Sequence, residues 1–138
     1  MYSTKLSVSV HIMSVVALTT DQPVTSEYIA SSIHTNPALV RRLMSRLSKA
    51  QLIETSTKIG VTGLAKKAEE ITLLDIFLAV EDHLTLFGIH SNTNQECPVG
   101  AKIEDTLKHL YGNIQSAAEN EMSAITLADI VKEFTVCN

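Results

Sequence analysis

Apolar side chains at Val40, Leu43, Met44 and Leu47 recur at the spacing of one helical face. Between them fall Arg41, Arg42, Ser45, Arg46 and Lys49, which occupy the other side. The helix has a clear start. Asn36 is a good N-cap, because its side-chain oxygen can accept a bond from an orphan backbone N–H. Pro37 then takes the first helical position, where its missing N–H costs nothing. A shorter helix, about Ser26 to Ile33, precedes it across a His34-Thr35 turn. Thr25 caps that helix, Glu27 suits its positive end, and Tyr28, Ile29 and Ile33 form its inner face. Two short helices in a tight pair, the second basic outside and apolar inside, is what a helix-turn-helix DNA reader needs. A bundle helix with solvated arginines gives the same pattern, and at this level both readings stand.

The pattern elsewhere supplies the surroundings. Leu6, Val10, Met13 and Ala17 set a helical stripe over Lys5–Leu18, and Val8, Ile12, Val15 and Val16 widen it. A helix apolar nearly all round belongs at the centre of a fold. Asp21-Gln22-Pro23 breaks it, and Val24 reads as a short extended link. After Lys49-Ala50 the period changes. Leu52, Ile53, Thr55 and Thr57 read as a strand, Gly60 and Gly63 punctuate, and Leu64-Ala65-Lys66 return as a second strand. Placed directly after the reading helix, this basic hairpin is a wing, although an ordinary surface hairpin has the same local pattern. Thr72-Leu73-Leu74-Asp75 is close to a capping box and opens a helix ending near Asp82. Leu84 to Phe87 suggest a short extended piece, and Gly88 to Pro98 a polar loop.

A long helix follows, from about Val99 to Met122. Ile103, Leu107, Leu110, Ile114 and Ala117 alternate spacings of four and three, the seam of a two-helix coiled coil. The seam either joins a second copy or packs on the chain's own core, and the first is favoured. Thr126-Leu127-Ala128-Asp129 repeats the cap and opens a last helix through Phe134. The expected fold is mainly α: a winged helix-turn-helix with a small β-hairpin wing and a long C-terminal dimerisation helix. The expected division is a DNA-binding domain over 1–82, a loop and candidate sensor region over 83–98, and the dimerisation helix with the C-terminal helix over 99–138.

Composition narrows the function classes. The chain has 138 residues, 45% of them hydrophobic, enough for a real core. No run reaches the roughly 18 uninterrupted apolar residues of a membrane span. The apolar N-terminal stretch is interrupted by Ser7, Ser9, His11 and Ser14 and reads as a buried helix rather than a signal peptide. With only Cys97 and Cys137 there is no disulfide framework, which favours a reducing compartment, the cytoplasm. Tryptophan is absent and aromatics are 4%, so stacking platforms for single strands are not evident.

A net charge of −4 conceals a strong asymmetry. Residues 38–67 carry seven cations against Glu54 alone, while residues 68–138 carry three against twelve acids. Phosphate responds to the local field, so the basic block marks the DNA-facing side. Arg41, Arg42, Ser45 and Arg46 are the main DNA candidates, since arginine forks match guanine edges or phosphates. Thr35, Asn36 and Ala38 lie at the helix start, and Lys49, Lys58 and Lys66 suit phosphate contact.

Cys97 precedes Pro98 at the long helix's start, where a thiol tends to ionise, and is the candidate redox or electrophile sensor. An inert structural cysteine is the alternative. No Gly-rich phosphate loop, HExxH, GxSxG or paired-cysteine site appears, and the five histidines are dispersed. The chain therefore reads as a non-enzyme, with no catalytic residue, metal site or cofactor expected. A protein-interaction module that kept the fold and lost DNA binding is the alternative function.

At this point a family likeness is visible. It rests on Ile29-Ala30, on Asn36-Pro37-Ala38-Leu39-Val40-Arg41-Arg42-Leu43 leading to Leu47-Ser48-Lys49-Ala50-Gln51-Leu52-Ile53, on the run from Leu64 through Lys66, Glu70 and Thr72 to Ile76, and on Thr126-Leu127-Ala128-Asp129-Ile130. Over nearly its whole length the chain resembles the BadM/IscR/CymR (Rrf-type) family of bacterial winged-helix transcription regulators. The resemblance implies a homodimer, with the long helix as the dimer contact, bound to an inverted-repeat operator in double-stranded DNA; the expected role is that of a cytoplasmic repressor, with an unidentified effector or corepressor protein as a further partner. It departs from the family in two places. Lys58 and the Gly60/Gly63 pair stand where the family wing has a richer glycine run and an arginine, whose planar fork lysine cannot copy. Cys97 stands alone where many members hold an iron–sulfur cluster on three cysteines, which places the chain with the cluster-free branch.

Overall fold

The structure, a computed structural model, describes residues 3–56 and 59–135. Six α-helices and one hairpin follow in order: α1 (Lys5–Leu18), α2 (Ser26–Ile33), α3 (Pro37–Lys49), β1 (Ile53–Ser56), β2 (Gly60–Leu64), α4 (Leu73–Val80), α5 (Pro98–Ser123) and α6 (Leu127–Thr135), with a single 3-10 turn at Ala68–Glu70. Helix α1 is central. It packs against α2, α3, β2, α4 and α6, which accounts for its apolar residues on every side. Ile12 and Met13 are fully buried there, against Val40, Leu43 and Leu47 of α3 and Ile76 and Val80 of α4.

The hairpin differs from the sequence expectation. Its second strand is Gly60–Leu64, so both glycines lie inside it rather than in a turn before Leu64-Ala65-Lys66. Ile53 pairs with Leu64 and Ser56 with Gly60, with a register shift between Glu54 and Thr55. The reason is Val61, which is 1% exposed. Val61 exchanges two backbone hydrogen bonds of 2.9 Å with Val24, making the extended link a third, one-residue strand. Gly60 allows that approach. Its φ is +94°, and a Cβ there would lie 2.5 Å from the Val24 carbonyl oxygen. Gly60→Ala is therefore expected to destabilise the fold by about 2 kcal/mol or more, from left-handed strain plus the forced separation of Val24 and Val61. Denaturant unfolding checks this; an unchanged midpoint would show that the third strand can slide away freely. Thr57 and Lys58, the expected strand end and wing cation, fall outside the described residues.

Two identical caps join the end of the chain to its middle. Thr72 Oγ1 accepts from Asp75 N at 3.1 Å while Asp75 Oδ2 accepts from Thr72 N at 3.0 Å, a reciprocal capping box. Thr126 and Asp129 repeat it with the same two distances. The two caps face each other: Leu73 N donates to Ile125 O at 2.8 Å, and Leu127 N to Ile71 O at 2.7 Å. Leu127 is fully buried. Helix α6 thus returns to the body that holds α1 and α4.

Helix α5 is the exception to burial. It runs 26 residues, about 39 Å, and none of its residues is buried. No strand forms over Leu84–Phe87. Instead one side-chain amide takes the place of a neighbouring strand: Leu86 N donates to Gln115 Oε1 at 2.9 Å, and Gln115 Nε2 donates to Leu84 O at 2.6 Å. Phe87 adds a tilted ring contact with Tyr111, centroids 5.0 Å apart.

Candidate nucleic-acid interface

Local capping sets the two helices of the reader. Thr25 Oγ1 accepts from Tyr28 N at 3.1 Å to start α2. His34 then takes a left-handed conformation, φ 60° and ψ 52°, which turns the chain sharply. Asn36 Oδ1 accepts from Ala38 N at 2.7 Å, and Pro37 opens α3. Val40, Leu43, Met44 and Leu47 are all buried against the body, as the spacing demands. That burial turns Ala38, Arg41, Arg42, Ser45 and Lys49 outward, all exposed, with Asn36 exposed and Thr35 half-buried at the leading end.

The basic residues do not share one environment. Arg42 and Lys49 make no hydrogen bond or ion pair within the chain among the described residues, and their cations are available. Arg41 Nη1 lies 3.7 Å from Glu27 Oε1 of α2, but both side chains are well exposed, so the pair is weak. Lys66 is exposed at the base of the wing, just beyond β2.

Arg46 differs from its neighbours. Its Nη1 donates to the Val80 carbonyl and to Asp82 Oδ1, each at 2.8 Å. The C-terminal half of α3 packs on α4, so a side chain there meets the end of α4 before it can reach outward. Within the chain the Arg46 guanidinium is thus engaged through Nη1, while its side chain stays 41% exposed. Asp82 also accepts from Lys5 Nζ of α1. The Lys5 hydrogen bond first, and the Arg46 hydrogen bond second, hold the Asp82 carboxyl down at about 2. Nothing in the local pattern around Arg46 signals this, because both partners lie more than thirty residues away.

Cys97 is the N-cap residue of α5 and is exposed. It makes no capping hydrogen bond of normal geometry, yet the backbone amides of Gly100 first and Val99 second hold its thiol below the ordinary range. The preceding loop folds back on the helix start: Cys97 N donates to Asn94 O at 3.3 Å, and Thr93 Oγ1 donates to Gly100 O. Gly100 permits this, since a Cβ there would meet Asn94 O at 2.1 Å.

The predicted seam on α5 divides in two. Ile103 and Leu107 are half-buried, whereas Leu110 and Ile114 remain 48% and 46% exposed, and Ala117 is exposed as well. The chain's own core does not cover that outer half. Gln115, which ties the 84–87 segment to the same helix, gave no sign in the sequence, because a lone glutamine in a helix has no distinctive spacing.

Comparison with known proteins agrees with this geometry. The profile of the family described as "Rrf2: Iron-dependent Transcriptional regulator" matches residues 2–133. The chain is 37% identical to the "Putative HTH-type transcriptional regulator YwnA" of Bacillus subtilis (strain 168), over 95% of this chain and 97% of that protein. Among solved structures it is similar to a "putative DNA binding protein", with 34% identity, a TM-score of 0.74, and 91% and 97% of the two chains covered. The fold is also that of CymR (YrzC), the global cysteine regulator of B. subtilis, at 20% identity, a TM-score of 0.71 and 96% of each chain.

The family's description names iron, which needs several donor side chains brought together. Among the described residues, Cys97 is a free cysteine and no three His, Cys, Asp or Glu side chains come together to hold a metal ion. The described residues do not fit an iron–sulfur group, since cluster irons need several thiolates. Nor is any described helix long and apolar enough to cross a membrane. With the relatives being transcriptional regulators rather than enzymes, and with a capped helix pair carrying an outward basic face, the chain belongs to the Rrf2 family of winged-helix, DNA-binding transcription regulators.

Proposed function

We propose that the chain acts in the cytoplasm as a homodimeric repressor that reads an inverted repeat in double-stranded DNA. The observation that carries this is the outward face of α3: Arg41, Arg42 and Lys49 are exposed there on a chain of net charge −4. Exposed cations gathered on a capped helix are suited to the major groove, with Asn36, Ala38 and Ser45 close enough to follow them in. Lys66, exposed just beyond β2, suits the adjacent backbone. The uncovered outer seam of α5 supports pairing through Leu110, Ile114 and Ala117, with Ile103 and Leu107 beside them. A dimer seated on a promoter represses by occupying it.

Cys97 is the proposed sensor. Its exposed thiol sits at the head of α5, beside the loop that Asn94 and Thr93 fold back on the helix start, so a change at the sulfur acts where the arm begins. One experiment tests both claims. Reduced protein is incubated with sheared genomic DNA from its host, and the retained fragments are sequenced, before and after peroxide treatment. Sharp peaks sharing an inverted repeat, lost on oxidation by the wild type and kept by Cys97→Ser, are the expected result. No enrichment over control would sink the operator reading; equal peroxide sensitivity of Cys97→Ser would remove the thiol.

A further inference from the structure

The ion pairs of Asp82 lie where the chain leaves the DNA-reading body. Four segments converge there. Arg46 comes from the reading helix α3, Lys5 and Ser3 from the start of α1, Val80 and Glu81 from the end of α4, and Asp82 itself begins the link to α5. Arg46 Nη1 donates to Val80 O and Asp82 Oδ1, each at 2.8 Å, Lys5 Nζ donates to Asp82 Oδ2, and Ser3 Oγ donates to Glu81 Oε1 at 2.8 Å. Helix α4 ends at Val80 with no glycine cap, so the Arg46 cation also serves its open carbonyl end. Two residues beyond Asp82 the chain is already held to the arm, through Leu84 O and Leu86 N on Gln115. Asp82 is therefore the last tie to the reading helix before the chain docks on α5.

We infer that Asp82 is a positioning residue: by gripping Arg46 of α3 and Lys5 of α1 at the root of the arm, it sets the angle between the reading helix and α5, and hence the half-site spacing the dimer prefers. This rests on the dimeric-operator reading proposed above. Half-site separation is a geometric property of a dimeric reader, so a residue that holds reader to arm acts on it directly. Arg46 then works through Asp82 and not through a base or phosphate.

The sign of the effect separates this from a field effect. Asp82 places a negative charge beside the basic helix. If only the field mattered, Asp82→Asn would tighten binding to every duplex. Asparagine keeps the size but offers one carbonyl oxygen where two cations are now served by two carboxylate oxygens. Wild type and Asp82→Asn are titrated with an operator taken from the genomic peaks, with versions whose spacer is one base pair longer or shorter, and with an unrelated duplex. The expected result is a loss of about fivefold to tenfold on the optimal spacer, a flatter dependence on spacing, and unrelated-duplex affinity that is equal or higher. Arg46→Gln should flatten the spacing dependence in the same way, with a smaller loss on the unrelated duplex than on the optimal spacer because a cation is also removed; the double variant should show no flatter a spacing dependence than either, and Asp82→Glu should restore part of the preference.

A variant that binds as tightly as wild type with the same spacing preference overturns the inference, as does a uniform loss on every duplex. A wild type indifferent to spacing would sink the dimeric-operator reading and this inference with it. A clear wild-type preference kept by both Asp82→Asn and Arg46→Gln sinks this inference alone.

Discussion

Arg42→Ala loses about tenfold or more of its affinity for operator DNA, while the protein's melting temperature stays where it was. The argument starts from what Arg42 does not do. Its side chain is exposed and makes no hydrogen bond or ion pair within the chain among the described residues, so its removal leaves no buried group unpaired. What remains is its place on α3, one turn before Arg46 and beside Arg41 and Ser45, on the half of the helix that leads into a groove. A bidentate arginine contact to guanine is worth about 1–3 kcal/mol, which corresponds to roughly a fivefold to hundredfold loss. Fluorescence anisotropy against salt concentration measures this and also identifies the target. A phosphate contact weakens all sequences together and lowers the salt slope by about one. A base contact relaxes selectivity at one position of each half-site. Retained affinity would remove Arg42 from the interface and shift the weight to Arg41, which Glu27 holds only loosely.

Where the sequence was legible, the determinants were local. Helices α1 and α2 span the predicted residues, Lys5–Leu18 and Ser26–Ile33, because a proline break and a threonine cap act over a few residues. The start of α3 was readable for the same reason: Asn36 and Pro37 need no tertiary partner to begin a helix. The second strand was not, because a glycine in a strand and a glycine in a turn look alike until a third segment is known to press against it. Here that segment is Val24, thirty-six residues before Gly60, and nothing near either residue announces the other. The partner of Arg46 is hidden from the sequence by the same logic. Helical periodicity says which face a side chain occupies but not what stands beyond that face, and Asp82 stands there. The return of α6 has a signal in the sequence: the Thr-x-x-Asp cap occurs twice, and the two copies pair with each other. The seam of α5 was visible as spacing, whereas its half-buried and uncovered parts could be told apart only once α4 and the 84–87 segment were placed against it.

That uncovered part leads to the larger effect. Leu110→Glu is expected to convert the proposed dimer to a folded monomer and to weaken operator binding by about a hundredfold or more. Leu110 and Ile114 are 48% and 46% exposed within one chain, so a charge at Leu110 meets water in the monomer and should leave its stability nearly unchanged. In a two-helix seam the same position faces its counterpart, where two carboxylates would be desolvated against each other with no cation to compensate. The DNA consequence follows from linkage of the half-sites. Each reading helix alone makes a few contacts, and joining two on one dimer turns the second binding event into an intramolecular one, raising the overall affinity by about a hundredfold to ten-thousandfold. Sedimentation velocity on Leu110→Glu should give a single species of half the wild-type mass with an unchanged helical circular-dichroism spectrum. Anisotropy should then show equal, weak binding to full and half operators. A dimer that persists with full affinity would place the interface elsewhere on the chain. Retained affinity by a true monomer would be more consequential, because one winged helix would then suffice, and the spacing that Asp82 is proposed to set would have no second half-site to serve.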